Sequence, residues 1–310
     1  MRTKSSFPKL SGKAILSPMS GVTDVAFRTL CKQYGAAMTC TEFVSSAALV
    51  RDNKKTFAML VTDPGEKPVA VQIFGSSEAE VVDAALLVEE KFDVIDLNCG
   101  CPAHKVIKVG AGSAMLNNPE KIGRFVNKIA SAVSKPVTIK IRAGTDEKNI
   151  NAVQVAKVAE DAGAAAVAVH GRTVKQAYSG LADWNVIKKV KEAVNIPVIG
   201  NGDAFTPETF SERLEQSGVD AILVARGAIG NPFVFKQIND YLKNGLYDNV
   251  PEKISMFFDY LKLAEKYNIP FGQIKGHALS FTKGIRGGAR LREKIAPTSS
   301  IEVLSKILNG

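Results

Sequence analysis

Cysteine is scarce in this chain: four in 310 residues. That is far below the density of a disulfide-stapled scaffold, so a reducing compartment is expected. No stretch approaches the roughly 18 uninterrupted apolar residues of a membrane span. The basic opening MRTKSSFPKL lacks the apolar run of a secretion signal. Also missing is a G-x-G-x-x-G fingerprint after the first strand pattern, which counts against an open dinucleotide-binding sheet. Acids are outnumbered, 31 Asp and Glu against 40 Lys and Arg, for a net charge of +9. The expectation is a cytoplasmic monomer with no membrane association, whose default partner is a polyanion.

What is present is an ordinary globular composition, 45% hydrophobic and 23% charged, with length enough for one large domain and a small one. Short β-rich runs recur at 14–17, 38–44, 69–74, 94–98, 137–142, 166–170, 197–201 and 221–225. Helical patterns lie between them, among them 77–91, 119–134, 149–162 and 207–217, several opened by Ser, Thr or Asn as helix N-caps require. Strands alternating with helices pair in parallel through right-handed crossovers. Eight such units predict an α/β chain folded as a TIM (β/α)8 barrel. After Asp248 the strand signal stops and helical periodicity takes over (Ile254, Phe257, Phe258, Leu261, Ala264). The predicted division is a barrel over 1–247 and a small all-α domain over 248–310. Between Lys275 and Lys294 six basic residues face one acid, Glu293, a net +5 in twenty residues.

A barrel carries its chemistry at the C-terminal ends of its strands. There the third strand offers Gln72, the fourth Asp96 and Asn98, the fifth Lys140 and Arg142, and the sixth His170. Side chains alternate along a strand, so each of these pairs shares a face. Four neighbouring strands ending in polar groups read as a ring around one polar ligand, because an unpaired buried polar group costs a few kcal/mol. The last two strands run into IGNGD and VARGA, glycine loops of the kind that hold a phosphate by backbone N–H groups. Arg226 adds a fork suited to phosphate.

DLNCGCP, residues 96–102, poses the sharpest question: metal clamp, half a disulfide, or one reactive thiol with an idle neighbour. A metal site needs about four suitably spaced ligands, and Cys31 and Cys40 fall in the first helix and the second strand. No metal is expected. Cys99 has parity opposite to Asn98 and should face the helical layer, leaving Cys101 in the loop above the barrel mouth.

The runs SPMSGVTDVAFR (17–28), VQIFG (71–75), DLNCGCP (96–102), VTIKIRAG (137–144), VHGRT (169–173), NGD (201–203) and ARGAIGNP (225–232) resemble the tRNA-dihydrouridine synthases. The likeness holds through the whole barrel in order and extends more weakly to KGHALSFTKGI (275–285). Ser17 and Ser20 stand where alanines are common in that family. The resemblance implies a flavin enzyme reducing the C5=C6 bond of uracil in tRNA. FMN, itself reduced by NADPH or NADH, would give hydride to C6, and Cys101 as catalytic acid would give the C5 proton. It further implies that Pro18, Met19 and Ser20 line the flavin ring, that Gln72 bonds its edge, and that Lys140 lies near N1 and O2. His170 would sit by the ribityl chain, with Asn201, Gly202, Asp203, Ala225, Arg226 and Gly227 holding the phosphate. Asn98 and Arg142 are the candidates for uracil recognition.

A base attached to folded RNA must be unstacked to enter a barrel pocket, and the basic tail, with Lys283, Arg286 and Arg290, is placed to grip the rest. The loop 104–112, with Gly110 and Gly112 as hinges, is expected to close over the mouth. Two other readings compete: a small-molecule flavin oxidoreductase, which would not need the basic tail, and an RNA-binding module with a vestigial barrel. The intact set of Cys101, Lys140 and His170 argues against the latter. Which uridine is reduced is not written in the sequence.

Overall fold

The computed structural model describes residues 5–309. Residues 1–4, the start of the basic N-terminal stretch, and residue 310 lie outside the described residues. Eight strands form one parallel sheet: β1 Ala14–Leu16, β2 Thr39–Ser45, β3 Val69–Phe74, β4 Val94–Asn98, β5 Val137–Arg142, β6 Ala166–His170, β7 Val198–Asn201 and β8 Ala221–Val224. Every neighbour pair is parallel and β1 pairs with β8. A bridge between Ile15 and Met38 closes the ring between β1 and β2, with Leu16 N donating to Met38 O at 2.9 Å. The chain is a TIM barrel, as its alternating pattern predicts.

The connecting helices follow their end signals. Ser77 and Asn118 cap Glu78–Val88 and Pro119–Ala132 by accepting the N–H groups of Glu80 and Lys121. Pro207–Ser217 starts with Thr206 in a capping box and stops at Gly218, whose φ of 65° glycine adopts without penalty. The 104–112 segment is not a plain loop: it opens with the short helix His104–Lys108.

The core has two shells. Outside the barrel, strand faces carrying Val71, Ile95, Ile139 and Val167 pack against the helices. Inside, the lower layers hold small or aliphatic side chains, including Ile15, Ala70, Val94, Ala166 and Ala221, with Phe7 and Leu10 packed against them. Two residues further along β3 and β4 the same inward parity turns polar, with Gln72 and Asp96, and Thr138 of β5 lies in register with Asp96. Chemistry sits on an apolar plug.

Four helices follow residue 252: Lys253–Lys266, Phe271–Phe281, Gly288–Ile295 and Ile301–Asn309. The first two dock on the first barrel helix, Val25–Gln33, where the Phe27 ring meets Tyr260 edge-on and lies 4.7 Å from His277, and the last two pack in sequence onto them. Among the described residues no helix is long and apolar enough to cross a membrane.

Candidate active site

A cavity of about 590 Å³ opens at the C-terminal ends of the strands. Every residue of the barrel singled out from the sequence as a flavin, uracil or catalytic residue lines it. Lys283, Arg286 and Arg290 are not among the lining residues.

Its floor is a hydrogen-bonded ladder across three strands. Asp96 accepts from Thr138 Oγ1 at 2.6 Å and from Gln72 Nε2 at 2.7 Å. Gln72 Oε1 accepts from Asn98 Nδ2 at 2.7 Å, and Asn98 Oδ1 accepts the backbone N–H groups of Gly100 and Cys101. Burial raises the Asp96 carboxyl above its ordinary range, opposed by these hydrogen bonds and the charge of Lys140.

Cations crowd the other side. Lys140 donates to Asn201 Oδ1 at 3.1 Å, and Asn201 Nδ2 donates to Leu223 O. Burial pushes the Lys140 ammonium down to about 8, and Arg142 adds repulsion that Asp96 partly offsets. Arg142 is itself braced, donating to the carbonyls of Gly100, Thr173 and Ala177. His170 is pushed down to about 2 by burial and by Lys140, Arg142, Arg172 and Arg226, so its ring is neutral at any working pH.

The loops after β7 and β8 meet backbone to backbone. A Cβ on Gly227 would come within 3.1 Å of Ala204 O and 3.2 Å of the Phe205 Cα. Gly202 has φ 133°, a conformation open to glycine, and its carbonyl accepts from Trp184 Nε1. Arg226 lies between the rings of Tyr178 and Phe205, 5.1 and 5.2 Å from their centres, and 3.3 Å from Asp203 Oδ1. Both oxygens of Asp203 also accept from Arg172 Nη2 at 2.9 Å. The expected phosphate fork is thus tied to a carboxylate and two rings that no local pattern announced.

The cysteines separate. Cys31, Cys40 and Cys99 are buried and Cys101 is partly exposed. Cys99 packs in the strand–helix shell, its Sγ 3.9 Å from Met115 Sδ, and burial drives its thiol far up. Cys101 stands on a turn whose carbonyl accepts from Ser113 N at 3.1 Å. Gly112, expected as a hinge, has φ 59° and is also a close-packing position: a Cβ there would lie 2.9 Å from Cys101 O. Among the described residues no cluster of His, Cys, Asp or Glu could hold a metal ion.

The support of one wall is not legible in the sequence. The segment 18–23, after β1, is held by the carboxylate of Glu42, which the C-terminal helices hold in turn, and by His277 of those helices. Glu42 accepts from Gly21 N at 2.5 Å and from Gln273 Nε2 at 3.0 Å. Asp24 accepts from Tyr260 OH at 3.1 Å, and His277 Nε2 lies 3.1 Å from Val22 O. In the basic tail, Lys275 and Arg292 donate to backbone carbonyls at 3.0–3.1 Å. Lys283, Arg286 and Arg290 are exposed, the first two in the turn between helices and only Arg290 on one. They therefore do not form a single helical face.

The fold is shared with the 6-hydroxypseudooxynicotine amine oxidase of Pseudomonas geniculata, at TM-score 0.60 and 13% identity over 82% of this chain and 50% of that one. It is shared too with the histamine dehydrogenase of Rhizobium sp. 4-9, at TM-score 0.59 and 14% identity over 82% of this chain and 49% of that one. The chain spans about half the length of those two proteins. Sequence likeness is closer elsewhere. The tRNA-dihydrouridine synthase B of Pseudomonas aeruginosa is 42% identical over 81% of this chain and 77% of its own length. The protein of the same name from Shewanella oneidensis is 44% identical over 76% and 74%. The probable tRNA-dihydrouridine synthase 1 of Synechocystis sp. is 36% identical over 94% and 84%. The profile of the family described as Dihydrouridine synthase (Dus) matches residues 15–307. This chain is an enzyme of the dihydrouridine synthase family.

Proposed function

We propose that the protein reduces the C5=C6 bond of uridines in tRNA, with FMN as cofactor, NADPH or NADH as its reductant and Cys101 as proton donor. Relatives named tRNA-dihydrouridine synthase support the substrate. In this reading residues 1–247 carry the flavin and the chemistry, and 248–310 grip the RNA in the cytoplasm. One observation carries the mechanism. The partly exposed thiol, the Lys140–Asn201 pair and the two close-packed glycine loops all face a single cavity.

The donor set suits FMN. The backbone of Pro18, Met19 and Ser20 would line the ring, Gln72 would meet its edge, and Lys140 would face N1 and O2. His170 would stand by the ribityl chain. Asn201, Gly202, Asp203, Ala225, Arg226 and Gly227 would hold the phosphate, where backbone approach as close as that at Gly227 leaves no room for a larger residue. Bound FMN would supply the hydride that C6 of uracil takes up.

The chain's own residues do the rest. The charge left on the uracil must be discharged by protonation at C5, and a thiol suits that role because it carries its proton at neutral pH and can release it. Cys101 holds that proton on a turn braced twice: Asn98 accepts its N–H, and Arg142 Nε donates to Gly100 O at 3.1 Å. Asn98 and Arg142 would also recognise the base. Neutral His170 offers hydrogen bonds without adding a further positive charge to a site that already holds Lys140 and Arg142. The target nucleotide must leave its stack to enter, while Lys283, Arg286 and Arg290 would meet backbone phosphates.

The test is direct. Purified protein with NADPH and tRNA from a strain unable to make dihydrouridine should form dihydrouridine at defined positions, read by mass spectrometry. Turnover of a free pyrimidine as fast as tRNA, or no turnover of tRNA by flavin-loaded protein, would overturn the reading.

A further inference from the structure

We propose that Asp96 is a positioning residue whose carboxylate, through the amides of Gln72 and Asn98, fixes the turn that carries Cys101. The inference rests on Cys101 being the proton donor only for its effect on uridine reduction, not for the geometry itself.

The argument is one of hydrogen-bond polarity. An ionised carboxylate only accepts, whereas a side-chain amide has a donating and an accepting end that are alike in shape. Asp96 sits at the bottom of the ladder, 7% exposed, in register with Gln72 on β3 and Thr138 on β5. Its two oxygens are used by Thr138 Oγ1 and Gln72 Nε2. The Gln72 amide is therefore forced to present its oxygen to Asn98, and Asn98 its NH2 to Gln72. That leaves Asn98 Oδ1 facing the turn, where it accepts from Gly100 N at 3.2 Å and Cys101 N at 2.9 Å. Gln72 and Asn98 are 1% and 6% exposed, so water cannot easily take over for a reversed amide. The carboxylate at one end and the two backbone N–H groups at the other agree on the direction of every bond between them.

Replacing the carboxylate by an amide removes that direction. With Thr138 Oγ1 still donating to the amide oxygen of Asp96→Asn, the new NH2 meets Gln72 Nε2, so the Gln72 amide turns over, Asn98 follows, and its NH2 opposes the N–H groups of Gly100 and Cys101. Donors facing donors release the turn. A purely electrostatic role for Asp96, acting on Lys140, predicts no such release.

Cys101 reports on its own turn, because the other three thiols are buried. The protein as purified, with its flavin content and melting temperature recorded, is treated with iodoacetamide, and alkylation is followed by peptide mass spectrometry with fragmentation to separate Cys101 from Cys99. Asp96→Asn should alkylate at Cys101 at least about fivefold faster than the unmutated protein. It should also reduce uridine at least about tenfold more slowly, counted per bound flavin. Adding Gln72→Glu supplies a new carboxylate one step up the ladder, able to accept from Asn at 96 and from Asn98, so the alkylation rate should return toward the original. An unchanged rate in Asp96→Asn, or a fast rate that Gln72→Glu does not reverse, overturns the proposal. Should Asp96→Asn not fold, Gln72→Ala cuts the ladder at its next rung, and an unchanged alkylation rate there overturns the proposal equally. Loss of the proton-donor role alone would appear differently: Cys101→Ala would reduce uridine normally while the alkylation results stood.

Discussion

The ammonium of Lys140 on β5 donates to Oδ1 of Asn201 on β7, 3.1 Å away across the barrel interior. The strand between them, β6, makes this reach possible. Lys140 is in register with Ala168, whose side chain ends at Cβ and leaves a path. A long cation, a small neighbour and an acceptor two strands away define the polar side of the cavity.

That half-buried cation, desolvated inside the barrel, should cost stability. With its ammonium at about 8 against an ordinary 10.5, Lys140 is charged in both folded and unfolded chains at pH 7, and the folded chain bears the desolvation. The unfolded chain keeps its proton longer, so stability contributed here rises as pH climbs from about 8 to 10.5. Lys140→Met should stabilise the flavin-free protein by about 1–3 kcal/mol at pH 7, with an advantage that shrinks toward pH 10.5, and should weaken flavin retention. Urea unfolding at pH 7 and 9.5 checks this; a less stable variant would refute it.

His170 has the opposite pH window. Its folded ring refuses a proton down to about 2, while the unfolded chain accepts one near 6.5. Stability therefore falls as pH drops below 6.5, by about 1.4 kcal/mol per unit from this group alone. His170→Asn should lose about 2 kcal/mol less than the unmutated protein between pH 6.5 and 5.0. Equal losses in the two proteins would show that the ring is protonated in the folded state.

The two cysteines of DLNCGCP should behave oppositely. Cys101→Ala should cut uridine reduction by roughly the 10²–10⁴-fold of a lost general acid, leaving flavin content and NADPH-driven flavin reduction in place. Cys99→Ala removes a buried sulfur against Met115 and should lower the melting temperature while keeping most activity. Single-turnover oxidation of the reduced enzyme by tRNA separates the two, and greater catalytic damage at position 99 would reverse the assignment.

The exposed tail cations should act through salt. Changing Lys283, Arg286 and Arg290 together to Gln should flatten the dependence of log affinity for tRNA on log salt by about two to three units and raise the KM for tRNA. Flavin reduction by NADPH should not change. Lys275→Gln should instead destabilise, because Lys275 holds the carbonyls of Ala296 and Thr298. Tail variants that bind tRNA with an unchanged salt slope would move the RNA grip to the barrel rim.

Much of this molecule could be read along the chain. Eight strand patterns separated by capped helices gave the barrel, because alternation and capping are properties of spans a few residues long. Parity placed Gln72, Asn98, Lys140 and Arg142 on the inward face and Cys99 outward, since a strand has only two faces. What parity cannot supply is partnership. Nothing local in KGHALSFTKGI ties His277 to the carbonyl of Val22, 255 positions away, or Tyr260 to the carboxylate of Asp24 at a separation of 236. Nothing around Arg226 foretells its seat between Tyr178 and Phe205. Basic residues at 275 and 292 look the same in sequence as those at 283, 286 and 290, yet packing spends the first two on carbonyls. The sequence by itself determined which side chains enter the barrel and at what height. Only the tertiary structure decided what each one touches, because hydrogen-bond direction and the docking of the last four helices depend on surfaces that exist once the chain has closed.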